Sequence, residues 1–309
     1  MKVIFLAARD YANVGWAYMQ ALKSVGIDVQ GFKIASHPFG YANEMNVITS
    51  GKHPEVQKLV DSSDIIQIIY SSLGKMDINI NLNNNIVIHH GGSAYRKCFA
   101  SLNGFWNCRA KAAIIETPDL LHLGAKNEQY ITSPIDTDML SPKFYDGNHP
   151  LRIAHYSSSP FIRTKGTGVI INILNNLKKE FDFDIHTSNK QVSWRDNIER
   201  VSKCDIYIDQ LSKAGEYGVS TKEAAALGKI VISSHMGVAE YNKVFGDTKV
   251  VVSNTPKDLE NNLKWLLSQS PENIRRIQQE TRNWIVAKHS YVPIGHRLKK
   301  IYETVLRGR

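Results

Sequence analysis

Residues Asp209 to Ser234 read DQLSKAGEYGVSTKEAAALGKIVISS. A glycine-containing loop runs into a small-residue helix that holds one acid, Glu223. The helix is expected to stop at Gly228, and Ile230 to Ile232 to follow as a strand. A loop of this kind presents backbone N–H groups at the positive end of a helix, which is a physical site for phosphate. An acid one turn further in can grip a neutral hydroxyl, such as that of a ribose, beside the phosphate. The segment therefore points to a nucleotide-linked ligand.

Twelve residues in this stretch, Asp209, Gln210, Gly215, Tyr217, Gly218, Val219, Glu223, Ala224, Ala226, Gly228, Lys229 and Val231, give it the form DQ…G-x-YGV…EA-x-A-x-GK-x-V. In this form it resembles the signature of the glycosyltransferase family 4-like group, whose fold is GT-B. The family often has two glutamates separated by seven residues. Glu223 fits the second, but Gly215 stands at the first, and Glu216 is displaced by one. A second resemblance lies in HYSSSPFIRTKGTGVII, His155 to Ile171, where Arg163 and Lys165-Gly166 precede a helix. Two cations beside a helix N-terminus can neutralise a diphosphate leaving group. A third is IVIHHGGSAYR, Ile86 to Arg96, at the end of a strand, where His90, Gly91, Gly92 and Ser93 are expected near the donor sugar. The loop Asp10 to Trp16 offers Gly15 where relatives have a glycine approaching the donor phosphate.

The resemblance implies a retaining, metal-independent glycosyltransferase with a nucleotide-sugar as co-substrate and no cofactor. His90, Arg163, Lys165 and Glu223 are then the catalytic candidates. Gly15, Gly91, Gly92, Ser93, Tyr217, Gly218, Val219, Ser220 and Thr221 are the candidate donor contacts, Ser220 and Thr221 through N–H groups. The acceptor expected by default is a glycan or a lipid-linked precursor. A hydroxymethylated DNA base is the rival, and a non-catalytic sugar-nucleotide-binding subunit is the alternative from another class. Asp136-Thr137-Asp138 reads as turn chemistry rather than a metal site. The histidines show no zinc-binding spacing, and no G-x-G-x-x-G fingerprint supports a dehydrogenase.

These residues must be held by ordered elements. Short apolar strands at Val3 to Ala8, Val29 to Ile34, Ile65 to Tyr70, Ile86 to His89 and Ala112 to Ile115 alternate with helical stretches. The pattern resumes at Arg152 to Tyr156, Phe183 to His186, Ile206 to Ile208, Ile230 to Ile232 and Val250 to Val252. Such alternation predicts an α/β architecture of two Rossmann-like, doubly wound parallel-sheet domains facing across a cleft. The expected domains are 1–145 on the acceptor side and 146–290 on the donor side. A closing helix over 291–309 could cross back to the first. At 309 residues, 42% hydrophobic and 22% charged, the chain can hold two cores. No apolar run approaches the roughly 20 residues needed to span a bilayer, and Arg9 and Asp10 come too early for a secretory signal. Three cysteines without metal-ligand spacing suit a reducing cytoplasm. The net charge of +9 falls mainly in 146–309, where 25 Lys/Arg face 17 Asp/Glu, against 13 and 12 in 1–145. A basic face of this kind can serve a polyanion or the inner face of a membrane as a peripheral contact.

Overall fold

A computed structural model describes residues 1–81, 83–157, 164–213 and 215–308. The chain divides into two compact units, residues 1–134 with 289–309, and residues 135–288. In chain order unit 1 contains β1 (Lys2–Ala7), α1 (Val14–Ser24), β2 (Asp28–Lys33), β3 (Asn46–Val47), β4 (Gly51–Lys52), α2 (Pro54–Asp61), β5 (Ile65–Ile69), β6 (Met76–Asp77), β7 (Ile86–His90), α3 (Gly92–Trp106), β8 (Ala112–Ile115) and β9 (Glu128–Tyr130). Unit 2 contains β10 (Leu151–Tyr156), α4 (Thr167–Leu177), β11 (Phe183–Ser188), α5 (Trp194–Ser202), β12 (Ile206–Ile208), α6 (Val219–Ala226), β13 (Ile230–Ser233), α7 (Val238–Phe245), β14 (Val251–Val252), α8 (Pro256–Leu267) and α9 (Pro271–His289). The last helix, α10 (Tyr291–Leu306), belongs to unit 1.

The unit 1 sheet has the order β3-β2-β1-β5-β7-β8-β9, and every pairing in it is parallel. The chain winds outward from β1 in one direction and from β5 in the other, so the winding reverses between these two strands. All five residues of β5 are buried, as a parallel strand covered on both faces requires. Its alternate residues serve different layers. Ile66 and Ile68 join Val56 and Val60 of α2 and Tyr95 and Trp106 of α3 in one core. Gln67 points the other way, and its side-chain oxygen accepts from the buried Tyr302 hydroxyl of α10.

The unit 2 sheet has the order β11-β10-β12-β13-β14, again parallel, with the reversal between β10 and β12. Its core joins Ile153, Ile206, Ile208, Ile230 and Ile232 of the strands to Ile170 and Leu174 of α4 and to Leu259 and Leu263 of α8. The division at residue 135 comes earlier than the expected boundary at 145. Residues 135–145 are tied into unit 2 by Arg282, which donates to the carbonyls of Thr137, Leu140 and Ala226. Tyr145 N–H also donates to Gln278 Oε1 at 2.7 Å. Residues 135–145, polar and interrupted by Pro142, are thus a strap on the second core. Asp136 behaves as the turn residue it resembles, its Oδ1 accepting from the amides of Asp138 and Met139.

Helix α10 lies close against α1. A Cβ on Gly295 would collide with the Ala21 carbonyl oxygen and come within 2.8 Å of its carbon. Alanine gains about 1 kcal/mol in helix propensity over glycine, but overpacking a close helix contact costs about 1–3 kcal/mol or more. The collision with backbone puts Gly295→Ala at the upper end of that range. We expect it to lower stability by about 2 kcal/mol in urea denaturation. A variant as stable as the parent would show that the two helices do not meet this closely.

Candidate functional site

The reversal point of the unit 2 sheet is built around one buried carboxylate. Asp209 follows β12 directly, and its Oδ1 accepts from Lys165 Nζ at 2.7 Å and from the Ser220 hydroxyl at 2.8 Å. Its Oδ2 accepts from the Gly218 amide at 3.2 Å and from the Thr221 hydroxyl at 3.0 Å. Burial alone would push this acid up. The Lys165 ammonium and the hydrogen bonds overcome it and hold Asp209 down to about 2. The carboxylate is therefore ionised, and it ties the loop after β10 to the first turn of α6.

Backbone geometry supports the same junction. Leu211 N–H donates to the Lys165 carbonyl at 2.9 Å. Gly166, the residue before α4, has φ +70°, and a Cβ there would stand 2.5 Å from the Leu211 oxygen. Only glycine meets both conditions without strain. His155, buried at the end of β10, makes contacts of 2.8 Å to the Ile208 carbonyl and 2.9 Å to the Thr167 hydroxyl. The N-termini of α4 and α6 thus open at the carboxyl ends of adjacent strands, where open α/β sheets bind ligands.

Glu223 lies one turn into α6 and is 6% exposed. Its Oε1 accepts from Trp194 Nε1 at 2.6 Å. Burial is the largest influence on this carboxyl and raises it to about 7, with nearby Asp209 adding to the effect and the Trp194 bond opposing it. Trp194 is the first residue of α5, which is capped by Ser193 accepting from the Asp196 amide. The indole is therefore held by a well-formed helix start. Sequence reasoning did not find Trp194, which stands 29 residues before its partner in an unremarkable polar segment.

Several expected donor contacts are placed otherwise. Gly218, Val219 and Ser220 are half-buried at the start of α6, but the Gly218 amide is engaged by Asp209. Thr221 is buried, with its amide on the Gly218 carbonyl and its hydroxyl on Asp209, so it has no N–H to offer a phosphate. Tyr217, 2% exposed, packs among His235, Tyr241 and Trp284 and is a core residue. Glu216 is also buried, its Oε1 3.5 Å from the Lys222 ammonium. Arg163 lies outside the described residues.

In unit 1, Gly15 does not present its amide to a ligand. Asp10 takes it at 2.7 Å and the Trp16 amide at 3.0 Å, filling the start of α1 with a buried carboxyl. His90 is 0% exposed, stacks on Tyr95 at 4.0 Å and has Nδ1 2.6 Å from the Ser71 hydroxyl. Burial lowers it to about 4, so the imidazole is neutral. Arg96 pairs with Asp119. Gly91, Gly92 and Ser93 do line a cavity of about 720 Å³ within unit 1, at the carboxyl ends of β1, β5 and β7. Gly91 is needed there because a Cβ would strike Glu116 Oε2 and stand 2.8 Å from Tyr70 Cε1. Among the described residues there is no group of three or more His, Cys, Asp or Glu arranged to hold a metal, and no helix is long and apolar enough to cross a membrane.

No protein-family model and no curated protein sequence matches this chain. Solved structures match it over nearly its whole length. The HepE protein of Anabaena in complex with UDP is 13% identical, with 98% of this chain and 100% of that one covered and a TM-score of 0.69. An α-glucosyltransferase in complex with UDP and a 13-mer DNA containing an HMU base is 13% identical, with 99% of each chain covered and a TM-score of 0.69. Sucrose-phosphate synthase from Thermosynechococcus elongatus is 14% identical, with 100% of each chain covered and a TM-score of 0.66. At these identities the likeness concerns the fold, and the fold is GT-B as the sequence motifs imply.

Proposed function

We propose that the chain is a nucleotide-sugar-dependent glycosyltransferase with a UDP-sugar donor. The observation that carries this reading is the junction of Lys165, Asp209 and the two helix starts in unit 2, with Glu223 one turn beyond. Similar structures bind UDP, and HepE also binds UDP-glucose. An ammonium has three donors, and Asp209 takes one of Lys165's. The remaining donors and the positive ends of α4 and α6 suit the diphosphate, whose charge grows as the bond to the anomeric carbon breaks. Glu223 accepts from a ribose or sugar hydroxyl.

The reaction is metal-independent and retains configuration. The anomeric carbon–phosphate oxygen bond breaks, the acceptor oxygen bonds to the same face, and the leaving phosphate takes the acceptor proton. The acceptor is a glycan or lipid-linked precursor. DNA is a second reading, favoured by one observation. With α10 in unit 1, that unit holds 17 Lys/Arg against 11 Asp/Glu, while unit 2 holds 21 against 18. The first half is nearly neutral only if α10 is left out of it. DNA affinity that falls steeply with salt would support this reading, and a flat response would sink it.

A melting-temperature screen against UDP-, GDP-, ADP- and CMP-sugars tests the donor. UDP-sugars are expected to give the largest rise. Radiolabelled transfer or hydrolysis of UDP-glucose should be abolished in Lys165→Ala and Glu223→Ala, and full activity in either variant would overturn that residue's role.

Two further outcomes follow from the charges. Asp209→Asn leaves Lys165 without its anion and should cost about 3 kcal/mol in urea denaturation at pH 7, against no loss if the pair is incidental. Glu223 is raised in the folded state from 4.5 to about 7, so between those values the folded protein binds more protons than the unfolded one. Its contribution therefore falls as pH rises through this window. Glu223→Gln should gain stability relative to the parent from pH 5 to pH 8, and parallel stability curves would exclude a buried acid of this kind.

A further inference from the structure

The cavity of unit 1 has a chemistry that none of the catalytic candidates uses. Arg9, two residues beyond β1, and Lys75, beyond β5, both line it and are exposed. No Asp or Glu is among the lining residues, and no described residue forms an ion pair with either cation. The acids at these strand ends, Asp10 and Glu116, are buried. Asp10 is engaged by the start of α1, and Glu116 lies under the backbone of Gly91. The first turn of α3, Gly92 to Ala94, enters the same space with amides that have no partner inside the helix. Surface cations and helix starts are each common. In this cavity both converge on one concave volume with apolar walls at Ile34 and Ile69, where the field is focused.

The shape narrows the ligand. A cavity of about 720 Å³ lies within the range that encloses one small molecule. Tyr11, 51% exposed, stands edge-on to Tyr70 at 5.2 Å and offers a free face for a ring. A guanidinium, an ammonium and helix amides together match the oxygens of a phosphate better than the two of a carboxylate. We propose that the acceptor is a monosaccharide-sized ring carrying a phosphate ester, held by Arg9, Lys75 and the α3 N-terminus with its ring on Tyr11. This rests on the glycosyltransferase reading and names its acceptor class.

Isothermal titration of the full chain with glucose 6-phosphate and with glucose tests it, with saturating UDP to occupy the phosphate site of unit 2. The phosphorylated sugar is expected to bind about tenfold more tightly or better. That preference should vanish in the double variant Arg9→Ser, Lys75→Ser and persist in Lys126→Ser, a surface control. Equal affinities, or a preference that survives the double substitution, would overturn the assignment. The source of the phosphate is read with vesicles of phosphatidylcholine and phosphatidic acid. Co-sedimentation displaced by glucose 6-phosphate indicates a lipid-linked acceptor, and its absence a soluble sugar phosphate. A short DNA duplex that outcompetes glucose 6-phosphate through Arg9 and Lys75 would overturn the small-ring assignment in favour of a polymer. UDP affinity in the same preparation separates the two readings. UDP binding without the phosphate preference removes only this inference. The preference without UDP binding removes the donor reading, and with it the acceptor role of the cavity.

Discussion

The buried carboxylate of Asp209 is the constraint on which unit 2 depends. Four donors surround it, from Lys165, Gly218, Ser220 and Thr221. Together they join the ends of β10 and β12 to the starts of α4 and α6. An ion in this position is costly unless every oxygen is satisfied, and each oxygen of Asp209 accepts two bonds. Unit 1 also has a buried aspartate at a strand end, but after its first strand, where Asp10 closes the start of α1. No cation touches Asp10 directly, burial dominates, and its carboxyl rises to about 6. Asp209 has an ammonium and two hydroxyls that Asp10 lacks, and it is held down where Asp10 is pushed up.

The fold was legible because its strands are apolar runs bounded by turn residues, and a parallel sheet covered on both faces leaves few other readings for such runs. The Glu223 helix stood out as a glycine-containing loop followed by small residues, and Lys165 through the resemblance to the glycosyltransferase motif. Other elements left weaker traces. Helix α3 is largely exposed and buries only Tyr95, Asn103 and Trp106, so its sequence has no continuous apolar stripe to announce it. The Trp194–Glu223 bond joins residues from different helices, and nothing local in either predicts it. His90 and Tyr217 show the opposite difficulty. Their motifs are visible, but only packing reveals that both rings face inward.

Charge placement shows how topology revises composition. Counted along the chain, the basic excess belongs to the second half. Counted by compact unit, more of it belongs to the first, because residues 289–309 add Arg297, Lys299, Lys300, Arg307 and Arg309 to that unit. Helix α10 buries Ile294, Leu298, Ile301, Tyr302 and Val305 and turns His296 and Lys300 outward. The positive potential of unit 1 is therefore a by-product of the contact that completes its core.

The close approach of Gly295 to Ala21 also bears on how the polypeptide is made. Unit 1 takes its strands from the beginning of the sequence but covers Gln67 and α1 with a helix translated after all of unit 2. During synthesis residues 135–288 emerge whole, whereas the earlier segment waits on the ribosome without the helix that packs on α1 and covers Gln67. The order of completion in the cell then runs opposite to the order of translation, and the first-made half is the one exposed to chaperones and proteases for longest.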